Sequence, residues 1–172
     1  MSADQNPQLQ LVCPSCTALN RVPAAKLGAG PLCGKCRKAL ITGGPVNAGD
    51  DNFARFITKS DLPVVVDFWA SWCGPCRRAN PEVVAIYSEY KDQGFEILGV
   101  SLDRDEASWK KAIEDDKLTW HHISDLKYWN SKGAELYGVP AIPHTVLIDR
   151  EGTIIAKNLH GDELREAIES LL

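Results

Sequence analysis

The strongest pattern in the chain is an apolar run that leads into a pair of cysteines. Residues 62–70 read LPVVVDFWA, a nearly continuous apolar stretch of strand length, as expected for a strand buried on both faces. From Arg77 the pattern becomes helical, with an apolar face formed by Val83, Ile86, Tyr87 and Tyr90. The sequence therefore predicts a strand, a tight turn and a helix, with Cys73 at the helix N-terminus and Cys76 in its first turn.

Later apolar and polar alternations predict the rest of an α/β domain. Asp105 is suited to cap a helix whose apolar positions are Trp109, Ala112 and Ile113. A strand follows at residues 120–124, and then a helix that ends at Tyr137 before Gly138. Strands at 144–149 and 153–158, joined by the turn DREG, precede a last helix that begins at Asp162 and has Leu164, Ala167, Ile168 and Leu171 in phase.

The N-terminal quarter contains too few apolar residues to fold on a core of its own. Residues 28–30 and the stretch from Gly43 to Asp51 have the composition of loop and linker. We therefore predict two parts: a small module over residues 1–45 and the α/β domain over residues 46–172.

The length and net charge of the chain argue against some classes of function. A chain of 172 residues, 44% of them hydrophobic, is long enough for one good core with a small accessory module. The net charge of −4 provides no basic surface, so we expect no nucleic-acid partner. No apolar run reaches about 18 residues, so we expect no membrane-spanning helix. Residues 1–12 resemble no secretory signal, and we expect a cytoplasmic protein, in which structural disulfides are rare.

All six cysteines fall in C-x-x-C pairs. The first two pairs, separated by residues 17–32, have the spacing of a zinc site: Cys13, Cys16, Cys33 and Cys36. Four thiolates around one ion form a closed site, so we predict a single structural zinc ion that supplies folding energy to the N-terminal module. Two disulfides, an iron-sulfur centre or a redox-sensing zinc site are the alternatives.

The third pair has the setting of a redox dithiol. A helix N-terminus stabilises a thiolate at Cys73, which lowers its pKa and makes it the attacking sulfur. Cys76, one short turn away, then resolves the mixed disulfide. Gly74 and Pro75 shape the turn, and Trp72 is predicted to be a partly exposed lid over the sulfurs. The alternative for this pair is a third metal half-site or a buried structural pair.

The motif WCGPC preceded by VVVDFWA resembles the active site of the thioredoxin family. The resemblance implies a thioredoxin fold, in which a central mixed sheet is flanked by helices. It also implies that Asp67 is a buried proton relay to the resolving cysteine, that Pro81 kinks the helix, and that Pro143 is a cis-proline facing the dithiol. Ile142 and His144 would then border the substrate groove. The alternatives are a hydrogen-bonded strand residue for Asp67 and an ordinary loop proline for Pro143.

Two branches of that family are represented. The N-terminal part resembles the zinc-containing bacterial thioredoxin 2 over residues 10 to about 76. From Pro81 onward, VVAIYSEYKDQGFEILGVSLD and GVPAIPHTVLIDREGTI resemble TlpA-like thioredoxins. This second resemblance implies an additional strand-helix insert before Pro143 and suggests a fusion of the two, natural or engineered. Gly99 stands where thioredoxins place a lysine beside the buried aspartate, so the pKa of Asp67 is expected to be set differently.

The histidines, two arginines and the tryptophans of the insert give less specific predictions. His121, His122 and His160 have no metal-ligand spacing, and we predict that they lie on the surface. His144 is either a residue that tunes the groove or a solvent-facing strand residue. Arg77 and Arg78 either support the thiolate and steer acidic partners or are simply solvated. The tryptophans of the insert are predicted to be core residues, namely Trp109, Trp120 and Trp129.

These features together predict a monomeric protein-disulfide reductase. Its partners would be disulfide-containing proteins and an electron donor of the thioredoxin-reductase type. One alternative has the same thiol-disulfide chemistry but a different substrate or direction: a TlpA-like redox partner dedicated to one client protein, or an oxidant or isomerase. A rival of another class is a binding or chaperone module in which the zinc knot is the adaptor.

Overall fold

The computed structural model describes residues 7–41, 44–45 and 50–172. Residues 1–6, Gly43 and residues 46–49 lie outside the described residues. The predicted domain boundary after residue 45 adjoins the last of these ranges, and Gly43 is part of the predicted linker. The N-terminal module is a small ribbon in which β1, Gln8–Val12, pairs antiparallel with β2, Leu19–Pro23. Its apolar core consists of Leu9, Leu11, Val22, Leu27 and Leu40.

The main domain is built on a six-stranded mixed sheet, which confirms the predicted α/β class. Its strands are β3, Gly44–Pro45; β4, Val64–Trp69; β5, Glu96–Ser101; β6, His121–Ser124; β7, His144–Ile148; and β8, Ile154–Lys157. The order across the sheet is β3-β6-β5-β4-β7-β8. Strands β3, β6, β5 and β4 run parallel, whereas β7 is antiparallel to β4 and β8 to β7.

Five α-helices accompany the sheet in the described part of the chain: α1, Asp50–Lys59; α2, Gly74–Tyr90; α3, Glu106–Asp115; α4, Lys132–Tyr137; and α5, Gly161–Glu169. The side chain of Asp105 caps α3 by accepting from the amide of Ser108, and α4 ends at Gly138 in the left-handed conformation. Helix α1 was not predicted, since the sequence shows only linker composition up to residue 51. Among these helices, none has the length and apolar character needed to cross a membrane.

The core lies on both faces of the sheet, and this corrects the prediction for two histidines. His121 and His122 are both buried, not exposed. Neighbouring residues of a strand point to opposite faces, and both faces of β6 are covered: the His122 ring packs against Trp69 and Trp120, and the His121 ring lies near Phe56 of α1. Trp129 is 40% exposed, so its prediction as a core residue is wrong, because it lies in a short 3₁₀ turn outside the sheet. Trp109 and Trp120 are buried as predicted, and His160 is exposed.

The ribbon packs against the end of the sheet where β4 begins. The amide of Gln10 donates to the Asp61 carboxylate at 2.8 Å, and the amide of Asp61 donates to the Gln10 carbonyl at 2.9 Å. Leu62, just before β4, is buried in the core of the ribbon. The segment before β4 therefore belongs structurally to both parts of the protein.

Candidate functional site

Cys73 and Cys76 lie at the start of α2, where the sequence pattern placed them. Cys73 is the N-cap of this helix, and its Sγ accepts a hydrogen bond from the amide of Cys76 at 3.2 Å. The two sulfurs are joined in a disulfide. An unpaired helix N-terminus stabilises negative charge, so a thiolate released at Cys73 is favoured there. The helix starts three residues earlier than the apolar periodicity indicated, because Gly74 and Pro75 form its first positions.

The two cysteines of the dithiol have little exposed surface. Cys73 and Cys76 are buried, with 4% and 2% of their surfaces exposed, whereas Gly74 and Pro75 between them are exposed. Trp72 is 48% exposed, which agrees with the predicted partial exposure, and its indole packs against the Tyr128 ring with centroids 5.2 Å apart. Trp72, directly before Cys73 in the chain, therefore forms a partly exposed aromatic pair with Tyr128.

Asp67 lies inside the sheet, in β4. It pairs in register with Gly99 on β5 and Thr145 on β7, so these residues share one face. Burial raises the pKa of Asp67 to about 7, the range in which a carboxylate exchanges protons near neutrality. With Gly99 in place of a lysine, the neighbouring strand provides no cation at this register position. Burial alone therefore sets this pKa.

The predicted cis-proline region is adjacent to the dithiol. The Ile142–Pro143 peptide bond is cis. Because His144 opposes Phe68 in the antiparallel β4–β7 pair, Pro143 lies at the end of the sheet where β4 leads into the Cys73 turn. His144 itself is buried and packs against the Phe68 ring, so the solvent-facing interpretation is wrong. Burial also lowers the pKa of His144.

Arg77 and Arg78 have different environments. Arg77 forms a two-pronged ion pair with Asp116, through Nε to Oδ2 and through Nη2 to Oδ1 at 2.7 Å. It therefore belongs to a fixed network and is not freely solvated. Arg78 is exposed, and its guanidinium lies against Gly74, where a Cβ would be 3.3 Å from Nη1. Only Arg78 of this pair is free to meet an acidic partner.

The four ribbon cysteines converge as a tetrahedral metal site requires. Their sulfurs all lie within 4.8 Å of one another, with 3.6 Å between Cys13 and Cys36 and 3.7 Å between Cys16 and Cys33. Zinc-thiolate bonds of about 2.3 Å in a tetrahedron place sulfurs about 3.8 Å apart, so the residues fit the ion. They are free cysteines, and the cluster found among the described residues includes no sulfur from the third pair.

Two matching backbone turns hold these sulfurs, one at each C-x-x-C pair, as the spacing of the cysteines predicts. The amide of Thr17 donates to the Cys13 carbonyl and that of Arg37 to the Cys33 carbonyl, each at 2.9 Å. Thr17 and Arg37 both adopt positive φ, 58° and 63°. Amide hydrogen bonds lower the pKa of Cys33 to about 6, while burial raises that of Cys13 to about 12.

Comparison with known proteins finds two family patterns. The model of the family described as Redoxin matches residues 56–172. The model described as Thioredoxin 2, N-terminal, a zinc ribbon, matches residues 12–38. The two matches follow the two structural parts and agree with the two resemblances read from the sequence.

Individual relatives agree with this division. Thioredoxin C-3 of Corynebacterium nephridii is 47% identical over 76 residues, 44% of this chain and 52% of that protein. Thiol-disulfide oxidoreductase ResA of Bacillus thuringiensis subsp. konkukian is 30% identical over 112 residues, 63% of this chain and 61% of that protein. The match thus spans between half and two thirds of each relative. A solved C-terminal domain of a thiol-disulfide oxidoreductase from Bacteroides thetaiotaomicron is 38% identical, with a TM-score of 0.61, and the match covers 64% of this chain and 77% of that one.

Proposed function

The chain belongs to the redoxin family of the thioredoxin superfamily, and from that premise we propose that it is a protein thiol-disulfide oxidoreductase whose working groups are Cys73 and Cys76. The single observation that carries this proposal is the position of the Cys73 sulfur as the N-cap of α2, bonded to the Cys76 amide. That position favours the thiolate, which is the attacking species in disulfide exchange.

The reaction proceeds in two exchanges. The Cys73 thiolate attacks one sulfur of a substrate disulfide, a Cys73–substrate disulfide forms, and the other substrate sulfur leaves as a thiolate that takes a proton from water. Cys76 then loses its proton to Asp67 and attacks the Cys73 sulfur, so that the second substrate sulfur leaves and the Cys73–Cys76 disulfide forms. Two electrons pass from the dithiol to the substrate.

The remaining site residues have supporting roles in this proposal. Gly74 and Pro75 leave the turn exposed to the substrate, and Trp72 supplies the apolar rim beside it. Pro143 and Ile142, at the same end of the sheet, border the groove in which the substrate chain lies. His144 is buried behind this loop, so it supports the loop without contacting solvent.

Reduction of insulin disulfides by dithiothreitol tests the function. The native chain should accelerate insulin precipitation, and Cys73→Ser should lose this acceleration almost completely. Equal acceleration by both proteins, or none by either, contradicts an enzymatic role and favours the binding or chaperone alternative. Covalent trapping of clients on Cys76→Ser then identifies the substrates.

We further propose that the ribbon holds one structural zinc ion through Cys13, Cys16, Cys33 and Cys36. Four converging thiols in a module with a small core support this assignment. When bound, the ion ties the two turns together and contributes folding energy. It has no proposed role in the exchange, because the ribbon packs where β4 begins and the dithiol follows where β4 ends.

The partners and location form a separate proposal. A donor of the thioredoxin-reductase type would supply the two electrons that restore the dithiol. Zinc-bound thiolates persist best in a reducing compartment, which favours the cytoplasm. Fractionation of expressing cells tests the location, and light scattering should give the 18.9 kDa of a monomer.

A second candidate keeps the chemistry but narrows the clients. The likeness to the ResA protein and the segment that contains α3, β6 and α4 favour a redox partner dedicated to few substrates. Trapping on Cys76→Ser distinguishes the two: a broad set of captured proteins supports a general reductase, and one or two captured proteins support the dedicated partner.

A further inference from the structure

The turn that carries Cys73 is held by a buried carboxylate from the neighbouring strand. Asp103 follows β5 and is only 1% exposed. Its oxygens accept from the Ser71 amide at 3.0 Å, from the Ser71 hydroxyl at 2.5 Å and from the Ser101 hydroxyl at 2.6 Å. All of these partners are donors, so both carboxylate oxygens are engaged as acceptors. Ser71 lies only two residues before Cys73, so Asp103 fixes the start of the reactive turn.

The same turn is held from its other side. The Ser71 carbonyl accepts from Nη1 of Arg77 at 3.2 Å, so all three polar groups of Ser71 are bonded. Arg77 is in turn bound to Asp116, whose Oδ2 also accepts from Nδ2 of the Asn80 side chain at 2.6 Å. Asp103 precedes α3 and Asp116 follows its last residue. The segment that contains α3 therefore braces the dithiol turn with a carboxylate at each end.

The two carboxylates differ in charge compensation. Asp116 is bound directly by the Arg77 guanidinium, whereas the hydrogen-bond partners of Asp103 are uncharged groups and Arg77 attracts Asp103 only through space. A buried negative charge without a directly bound cation acts on its neighbours through a low dielectric. At Cys73 such a charge opposes the thiolate and so disfavours the reduced dithiol relative to the disulfide, which has no charge.

We propose that Asp103 is a positioning residue of the exchange reaction: through Ser71 it fixes the turn that carries Cys73, and its charge makes the dithiol a stronger reductant. The proposal rests on the proposed function of Cys73 and Cys76 and adds the group that sets their equilibrium. In thiol-disulfide proteins, a stabilised reduced form makes the pair more oxidising. Asp103 acts in the opposite direction.

The test is the equilibrium of the Cys73–Cys76 pair with glutathione at one fixed pH. Asp103→Asn keeps the shape and an acceptor for the Ser71 amide but removes the charge. We expect the equilibrium to move about tenfold toward the reduced dithiol, or about 30 mV for this two-electron couple. Asp105→Asn is the matched control, since it removes an exposed charge from the same loop and asparagine still caps α3. It should stay within twofold of the native chain.

Ser71→Ala separates charge from hydrogen bonding, because it keeps the Asp103 carboxylate and removes only one donor. We expect its equilibrium to stay within about threefold of the native chain. A tenfold shift in Ser71→Ala overturns the electrostatic role even if Asp103→Asn does not fold. An unchanged equilibrium in folded Asp103→Asn also overturns it. Failure of the native chain itself to equilibrate with glutathione contradicts the proposed function instead.

Discussion

The imidazole of His122 lies over Gly99, in the space that a side chain at position 99 would occupy. A Cβ on Gly99 would be 2.8 Å from Cε1 of His122 and 3.2 Å from Nε1 of Trp120. Gly99 and His122 face each other in register on β5 and β6, one strand away from Asp67. The position at which the thioredoxin resemblance would place a lysine is therefore filled by the His122 ring, and burial lowers the pKa of His122 to about 3.

This contact predicts the effect of a methyl group at position 99. Gly99→Ala should lower the free energy of unfolding by about 1–3 kcal/mol, because the buried ring has to move. The double variant Gly99→Ala with His122→Ala tests the cause. In a urea denaturation cycle, the cost of the added methyl group should shrink clearly once the imidazole is gone. An equal cost in both backgrounds would contradict the steric explanation.

Asp67 predicts a pH-dependent stability. Its folded pKa of about 7 lies above the unfolded value, so the native state binds the proton more tightly. The stability contributed by this group is present at low pH and is lost as the pH rises from about 4 to about 7. Asp67→Asn should therefore be more stable than the native chain at pH 8, by on the order of a few kcal/mol, with a much smaller difference at pH 4.

Urea denaturation of the native chain and of Asp67→Asn between pH 4 and pH 8 measures this difference in the free energy of unfolding. A constant difference between them would show that burial of the carboxylate does not shift its proton binding.

Asp67→Asn should also slow the release of substrate from the mixed disulfide, since Cys76 loses its proton acceptor. Initial attack by Cys73, measured by alkylation, should change less.

Metal binding is predicted to be independent of the redox pair. Cys13→Ser should reduce the zinc content from about one ion per chain to almost none, because three thiolates bind the ion much less tightly. Metal analysis by mass spectrometry measures the content. Ser15→Ala, an exposed change in the same turn, is the control and should retain the zinc. The glutathione equilibrium of Cys73 and Cys76 should remain near that of the native chain, and its loss would indicate a coupling between the two sites.

The burial of Leu62 in the ribbon core predicts that packing of the ribbon stabilises the segment before β4. In sequence Leu62 lies just before the catalytic strand, but its side chain is buried in the ribbon core. Leu62→Ala should therefore lower the free energy of unfolding by about 2–4 kcal/mol. Leu136→Ala is the matched control: this leucine is 70% exposed, and its loss should cost less than about 0.5 kcal/mol. Similar costs for both would indicate that the ribbon does not pack on Leu62.

Removal of residues 1–45 gives a related expectation. We expect segment 46–172 to retain catalysis, because the ribbon packs on Leu62 before β4 whereas Cys73 follows the end of that strand. The structure adds that Leu62 would become exposed, that the hydrogen bonds between Gln10 and Asp61 would be lost, and that β6 would lose its pairing with β3. The shortened chain should therefore unfold at lower temperature and keep its glutathione equilibrium. An altered equilibrium would mean that the ribbon influences the dithiol.

Features encoded by neighbouring residues were predictable from the sequence. The buried strand, the capped helix and the position of Cys73 depend on residues 62–90, and the zinc cluster depends on the spacing of its cysteines. Features that depend on the arrangement of strands were not. His121 and His122 were assigned to the surface because a short polar strand carries no local signal that its strand lies inside the sheet.

Long-range polar contacts were also missed. Ser71 and Asp103 are 32 positions apart, and Arg77 and Asp116 are 39 apart, so no periodicity connects them. The only local signal was the acidic residue directly after a buried strand, in the stretch VSLD. Packing of Leu62 into the ribbon could not be anticipated either, since the apolar run assigns it to β4.

The length of β4 keeps the two sulfur chemistries of this chain apart. Six residues of strand, about 20 Å, separate the segment on which the ribbon packs from the turn that carries Cys73. The working pair and the contact with the ribbon therefore lie at opposite ends of this strand. Such a separation disfavours direct disulfide exchange between the working pair and the four ribbon cysteines of the same chain.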